Sequence, residues 1–506
     1  MRLGTRRSAD RALQRTVPAL GQKRPARCLE TLEQKPLEST IAVIAGQEFE
    51  LSQGVDMSQE IAKRLAEFTV DTGLSDISPG AVSFAKQLAL KTVAGMLAGS
   101  AMPSGKRIAE FVKADPDGSK VGVIGCDFKA SLWKAVFADA FFAHQSELED
   151  DRLNTGTCWD ITTFPMLFPL SDKLELSGAE MLVASVVGLE VMARTCQFYP
   201  QGHMGLSIVP SSIGPAALAA RALKLNASQT ASAFGLAMSG VATCYVNFGT
   251  DAHYFETALQ TVNGLMAAQT ATLGLSSNPD IVQYLTNLLG KDKVNVDDLI
   301  GNLGKIWQFQ EIWLKKYPCC LYTHRYIDGL LEILTKQDIK YDQIDGITVH
   351  AAAGILEICN RPDPKTIGDL QFSYSHVLAS AAMDRDVNYK HISEDRIADP
   401  LFKAGREKVK VVVHPEWVAR LPMETRARLD VKLKDGREFS SERTYPTGTS
   451  KEPLTMEHVK ALFHKFVGNV LPEAQKQYVA DALSNLEALD RKEVMKLLGV
   501  LSKKEI

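Results

Sequence analysis

The sequence predicts a mainly α protein: a large all-helical domain formed by both chain ends, with a smaller α+β domain inserted between them. Three observations predict it. From Met57 to about Ser276 nearly every segment is periodic as a helix, with Ala and other small residues on all faces. Helices of that kind are buried on more than one side, which requires a multilayered helical core. After about Pro279 β-branched runs of strand length appear, and from Thr455 the chain turns helical again, as a tail that returns to the first domain would. The expected divisions are 57–279, 280–444 and 445–506, with residues 1–56 outside the fold.

Taken in order, residues 1–56 lack the apolar periodicity needed to join a core. The first 27 carry eight Lys/Arg against one acid, Asp10. That composition suits either a mitochondrial-type presequence or a disordered tail, so cytoplasmic and mitochondrial locations both stay open. The first convincing helix begins at Met57. Ser78-Pro79 is a cap followed by proline at the first helical position, ahead of AVSFAKQLALKTVAGMLAG. Further helices follow in SLWKAVFADAFFAHQSELE, SGAEMLVASVVGLEVMARTC and NASQTASAFGLAMSGVA. Strands are expected in IDGITVHAAA and KVKVVVHP, and a hairpin around Asp435-Gly436 in RARLDVKLKDGREFSSER.

The totals exclude several functions. A chain of 506 residues, 45% apolar and 23% charged, is an ordinary globular protein too long for one core. A net charge of -3 gives no electrostatic case for nucleic acid, and no apolar run is long enough to span a membrane. The eight cysteines include one vicinal pair, Cys319-Cys320, but no zinc-spaced Cys/His set, so no metal is expected. P-loop and GxGxxG signals for nucleotide cofactors are absent as well.

The stretch that carries chemistry runs from Phe141 to Pro165. An apolar helical run breaks there into Glu147, Glu149, Asp150 and Asp151, and a polar loop with Arg152 and Cys158 follows. Carboxylates gathered where a buried helix ends serve proton transfer or orient a neighbouring base; the alternative is a solvated helix end.

Four stretches, in order, resemble the MmgE/PrpD family of 2-methylcitrate dehydratases and cis-aconitate decarboxylases. They are VIGCDFKASLWKAVFADAFFAHQSELEDD, SGAEMLVASVVGLEVMART, LKKYPCCLYTH and YPTGTSKEPLTMEHVKALFHKF. The resemblance spans roughly residues 57 to 500 and implies that the α+β part, 280–444, is a lid over a cleft. It implies a homodimer that acts without a cofactor on a citrate-like di- or tricarboxylic acid. The same resemblance places His203 on the family's active-site histidine and Lys315 on a substrate carboxylate. His324 would orient that carboxylate, with Tyr317 beside it. The chain departs from the pattern where Arg152 and Cys158 occupy the places of two family histidines. His253 stands for the family's lysine, and the lid tyrosine gives way to His376, with Tyr374 nearby.

The resulting expectation is a cofactor-independent lyase, either dehydratase or decarboxylase. His203 and His253 would carry protons, Asp150 would orient one of them, and Arg152 and Lys315 would bind carboxylates. An isomerase or epimerase on the same scaffold is the second reading, and a non-catalytic binding protein the third.

Overall fold

The computed structural model describes residues 57–114, 120–152, 157–158, 160–196, 211–240, 247–278, 280–289, 295–353, 358–417 and 426–503, within one unit spanning Val55–Ile506. The protein is mainly α, as the sequence predicts.

The first part contains α1 (Met57–Asp71), α2 (Pro79–Ala101), α3 (Pro103–Lys113), α4 (Leu132–Gln145), α5 (Asp160–Leu174) and α6 (Gly178–Cys196). They are followed by α7 (Ile213–Ala222), α8 (Ala227–Met238) and α9 (Asp251–Thr272). The Ser78 side chain accepts the Ala81 N–H, and Pro79 opens α2, so this helix starts where its cap and proline require. Its small residues matter most at Gly99. A Cβ there would lie 1.9 Å from the Phe142 carbonyl oxygen, so α2 meets α4 backbone to backbone. Gly99→Ala is therefore expected to destabilise the fold by at least ~1–3 kcal/mol, the range for overpacking, measured as a lower midpoint of chemical denaturation.

The helical part is not purely helical. Two short hairpins interrupt it: β1 (Lys120–Gly122) with β2 (Lys129–Ser131), and β3 (Asp151–Arg152) with β4 (Thr157–Cys158). Each strand has only two or three residues, too few for alternation to register against the surrounding helical pattern.

Among the described residues the hydrophobic core forms two large clusters, with Trp313 and Leu321 a small third one between them. One cluster runs from Ile61 to Leu314 and resumes from Leu454 to Leu501; the other runs from Tyr317 to Leu433. The change therefore falls at Lys315-Lys316 rather than near residue 279. The intervening helices α10 (Ile281–Leu289) and α11 (Val296–Ile300) explain the difference, because both pack on α1. Their apolar residues Ile281, Leu285 and Leu299 are buried in the helical cluster.

Around the second cluster, β5 (Ile344–Ala352), β6 (Val409–His414), β7 (Arg428–Leu433) and β8 (Glu438–Glu442) form a sheet ordered β6-β5-β7-β8. β5 and β6 are parallel, and the other pairs antiparallel. The predicted β7–β8 hairpin turns through Gly436 at a φ of 91°. Beside the sheet lie α12 (His324–Lys336), α13 (Ile367–Gln371), α14 (Tyr374–Asp384), α15 (Asp395–Ala398) and α16 (Pro400–Glu407). The final helices are α17 (Met456–Val467), α18 (Glu473–Ser484) and α19 (Arg491–Leu501); α17 and α18 pack on α2.

Candidate active site

The site forms where α4 stops. Apolar residues bury α4 along nearly its whole length, carrying His144 and Gln145 into the interior. Glu147 then turns the chain through the left-handed region, at a φ of 53°. A non-glycine residue held there costs about 1–3 kcal/mol unless its surroundings enforce it. Here they do: Lys315 Nζ bonds the Glu147 carbonyl oxygen and its Oε2, both at 3.2 Å, and Glu149 Oε1 at 2.5 Å.

Lys315 arrives from a distant segment. Asp151 and Trp313 exchange backbone hydrogen bonds of 3.3 and 2.9 Å, which lays residues 313–315 beside the acidic loop. The Lys315 N–H then donates to Asp150 Oδ1 at 2.7 Å. From the other side, α9 brings His253 onto His144, their ring centroids 4.2 Å apart. Thr257 Oγ1 lies 2.7 Å from His144 Nδ1, leaving Nε2 without a hydrogen-bond partner among the described residues.

Burial and neighbours set the protonation states. His144 is pushed well down by burial, then by His253 and Lys315; His253 is lowered to about 3 by burial and Lys315. Both imidazoles are thus neutral. Burial, then Glu149, pushes the Glu147 carboxyl well up against the pull of Lys315. Burial opposes the charge on Lys315, yet Glu149 and Glu147 outweigh it and keep the ammonium charged. Burial, Asp151 and Glu149 raise the Cys158 thiol, which is therefore no thiolate nucleophile.

A cavity of about 720 Å³ adjoins this cluster. Arg107, Arg361 and Lys365 line it, together with Gln145, Tyr254 and Gln371. The last three are buried, yet Gln145 Oε1, the Tyr254 hydroxyl and both amide atoms of Gln371 have no hydrogen-bond partner among the described residues. Buried polar groups left bare are costly, so they are positioned to meet a polar ligand.

Of the residues singled out from sequence, His253, Lys315, Asp150 and Cys158 come together here. His203 lies outside the described residues. The structure places three of the candidates as follows. Asp150 bonds no histidine among the described residues; it pairs with Lys91 Nζ, while its N–H donates to Asp160 Oδ1 at 2.8 Å. Burial raises Asp150 to about 6 despite Lys91. Lys315 spends its charge on Glu147 and Glu149, so binding a substrate carboxylate requires exchanging one of them. Arg152 stands half-buried on β3, and its charge only partly offsets the burial and Asp297 that raise the Asp298 carboxyl.

The remaining candidates are held by the second core. The Tyr317 hydroxyl donates to Asp328 Oδ1 at 2.8 Å, and its ring meets His324 edge-on. His324 Nε2 donates to the Cys319 carbonyl at 3.2 Å. Tyr374 packs against Tyr326, ring centroids 5.2 Å apart, with its hydroxyl unpartnered among the described residues. His376 is not aimed at the cluster: its Nε2 donates to the His391 carbonyl at 2.8 Å, and its ring packs on Phe402.

His376 gives a clean pH test. Burial, partly offset by the His391 carbonyl and reinforced by Arg406, His391 and Arg396, lowers its pKa to about 4. A histidine depressed on folding takes up its proton on unfolding, so it lends stability above about pH 6.5 that disappears as pH falls toward 4. His376→Gln is expected to flatten the dependence of denaturation midpoint on pH in that window. The slope removed is at most about 1.4 kcal/mol per pH unit.

His144 was not singled out from sequence because it sits in an apolar run that reads as core. The available signal was its spacing: His144 and Glu147 are three residues apart, on one face of the helix end. Glu147 and Glu149 were visible as a cluster without a role, and Lys91 was hidden inside a periodic helix.

Among the described residues no helix is long and apolar enough to cross a membrane. Residues 63–287 match the family model for the MmgE/PrpD N-terminal domain, and residues 317–487 that for the MmgE/PrpD C-terminal domain. A search of curated proteins finds no match.

Proposed function

The chain belongs to the MmgE/PrpD family, and from that premise we propose that it is a lyase eliminating water from a citrate-like hydroxy acid. One observation carries the reading: the imidazoles of His144 and His253 lie in edge contact, with a Glu147 carboxyl oxygen within 4.8 Å of a nitrogen of each. Groups whose environments push their pKa values apart make natural acid and base partners.

An imidazole takes the carbon-bound proton, and the released electron pair forms the double bond. The hydroxyl on the adjacent carbon leaves with the proton of Glu147, as water. By itself His253, at about 3, is too weak a base, but bound substrate carboxylates raise its pKa toward the working range. Lys315 supplies positive charge at the reacting end, while in the cavity lining Arg107, Arg361 and Lys365 are balanced by Asp251, Asp369 and Glu394, with Arg361 paired to Asp369 and Lys365 to Asp363.

The isomerase reading needs two bases on opposite faces of one carbon. Rings whose centroids are 4.2 Å apart leave no room for a carbon between them, which supports elimination instead. The test is a panel of hydroxy and unsaturated di- and tricarboxylic acids, followed by NMR in deuterated water. Elimination is expected with a hydroxy tricarboxylate, and cis-aconitate should be decarboxylated poorly. Deuterium uptake with the carbon skeleton retained would overturn the reading in favour of isomerisation, and no change with any member in favour of binding.

A further inference from the structure

We infer, on the elimination reading of the reacting end, that the acid taken by this site carries an uncharged polar arm. That arm bears a hydroxyl or an amide and lies in the adjoining cavity against Gln145, Tyr254 and Gln371. All three side chains line the cavity, and they are 3%, 4% and 1% exposed. They come from both large cores: Gln145 ends α4, Tyr254 lies in the first turn of α9, and Gln371 ends α13.

The atoms these residues leave bare define what can meet them. Gln145 Nε2 donates to the Gly99 carbonyl at 3.0 Å, which fixes the amide and leaves Oε1 without a partner among the described residues. A carbonyl oxygen needs a donor, and neither a carboxylate nor a hydrocarbon has one. Gln371 is bare at both Nε2 and Oε1, so it asks for an acceptor as well as a donor. Tyr254 adds its hydroxyl, which burial, then Glu147 and Glu149, push well up, so it stays a neutral phenol. A hydroxyl or an amide both donates and accepts, and so suits all three.

Charge and room favour the same occupant. Arg361 is engaged by Asp369 at 2.7 Å and by the Phe248 carbonyl at 2.8 Å, and Lys365 by Asp363 at 2.5 Å. The remaining cation of the lining, the exposed Arg107, is set against Asp251 and Glu394. That balance gives an anionic arm no net attraction. At about 720 Å³ the cavity falls among the pockets of roughly 300–1,000 Å³ that hold drug-sized ligands, more than a citrate-sized acid fills. The arm would begin beside the reacting end, because the Tyr254 ring meets His144 edge-on, centroids 5.3 Å apart, and Gln145 follows His144 in the chain.

Calorimetric titration of the full chain compares citrate with the amide formed from one of its terminal carboxyls and ethanolamine. The amide keeps the reacting hydroxyl and two carboxylates, and is expected to bind at least about tenfold more tightly, the worth of one good hydrogen bond. Gln371→Met and Tyr254→Phe nearly keep side-chain volume and should each bring the two affinities to within about threefold. Without ligand, both variants should melt no lower than the parent protein, because the atoms removed have no partner among the described residues. Equal or tighter binding of citrate would overturn the proposal. So would a preference that survives both substitutions, or a clear loss of stability in either ligand-free variant, since the protein itself would then occupy those groups. Turnover is read separately by NMR. A preference for the amide without loss of water from either acid would uphold the arm and remove the lyase reading. Elimination from citrate without that preference would do the reverse, and binding of neither acid would remove both.

Discussion

Lys91→Met is expected to destabilise the protein by about 3–5 kcal/mol, the usual cost of removing one partner from a buried ion pair. Lys91 lies inside α2, 1% exposed, and its ammonium bonds the Leu148 carbonyl as well as Asp150. Asp150 hangs on to Asp160 through its N–H, and Asp160 Oδ2 accepts from Thr92 at 2.8 Å. Burial, then Asp150, raises the Asp160 carboxyl against the pull of Lys91. Without Lys91, two buried carboxyl groups lose their cation, and the loop carrying Glu147 and Glu149 loses its tie to α2. Equilibrium denaturation measures the loss. The double variant Lys91→Met/Asp150→Asn should recover most of it, because Asp150, the direct partner of the lost ammonium, then carries no charge to strand. A single variant as stable as the parent protein would mean the pair is not the anchor described here.

The second large effect is catalytic. His144→Ala and His253→Ala are each expected to lower turnover on the responsive substrate by about a hundredfold or more, the scale of general acid–base groups. The two effects should not add in the double variant, because one ring packs against the other and loss of either displaces its partner. Thr257→Val offers a milder check. It removes the hydrogen bond to His144 Nδ1 without touching the ring, and should move the pH profile of turnover while KM stays near its original value. Unchanged turnover in both alanine variants would remove the imidazole pair from the chemistry.

Much of the fold was legible because its signals are local. Ser78-Pro79 fixed the start of α2, Asp435-Gly436 fixed the β7–β8 hairpin, and the change to β-branched runs announced the sheet. The site was legible only in part. The acidic cluster, His253 and Lys315 stood out by residue type. Their partners did not, because Lys91 and His144 lie in apolar helices where a single polar residue hardly disturbs the pattern. Asp150 suggested a support for histidine, and what the sequence does not show is its pairing with Lys91, which comes from packing of α2 against the loop. Pairings between residues more than a hundred positions apart leave no periodic trace.

The long reach from the acidic loop to Lys315 bears on how the chain assembles. On a ribosome, Glu147 emerges 168 residues before the lysine that neutralises it. Until that lysine arrives, burying the acidic turn would strand its charges, so water should keep the end of α4 open while the preceding helices collapse. Closing so long a loop is entropically mild, since each doubling of length adds only about 0.6 kcal/mol, but it is slow. The active site should therefore be among the last parts to form. In a pulse-labelling experiment, amides of residues 147–151 would gain protection together with those of 313–315, after α2 and α4.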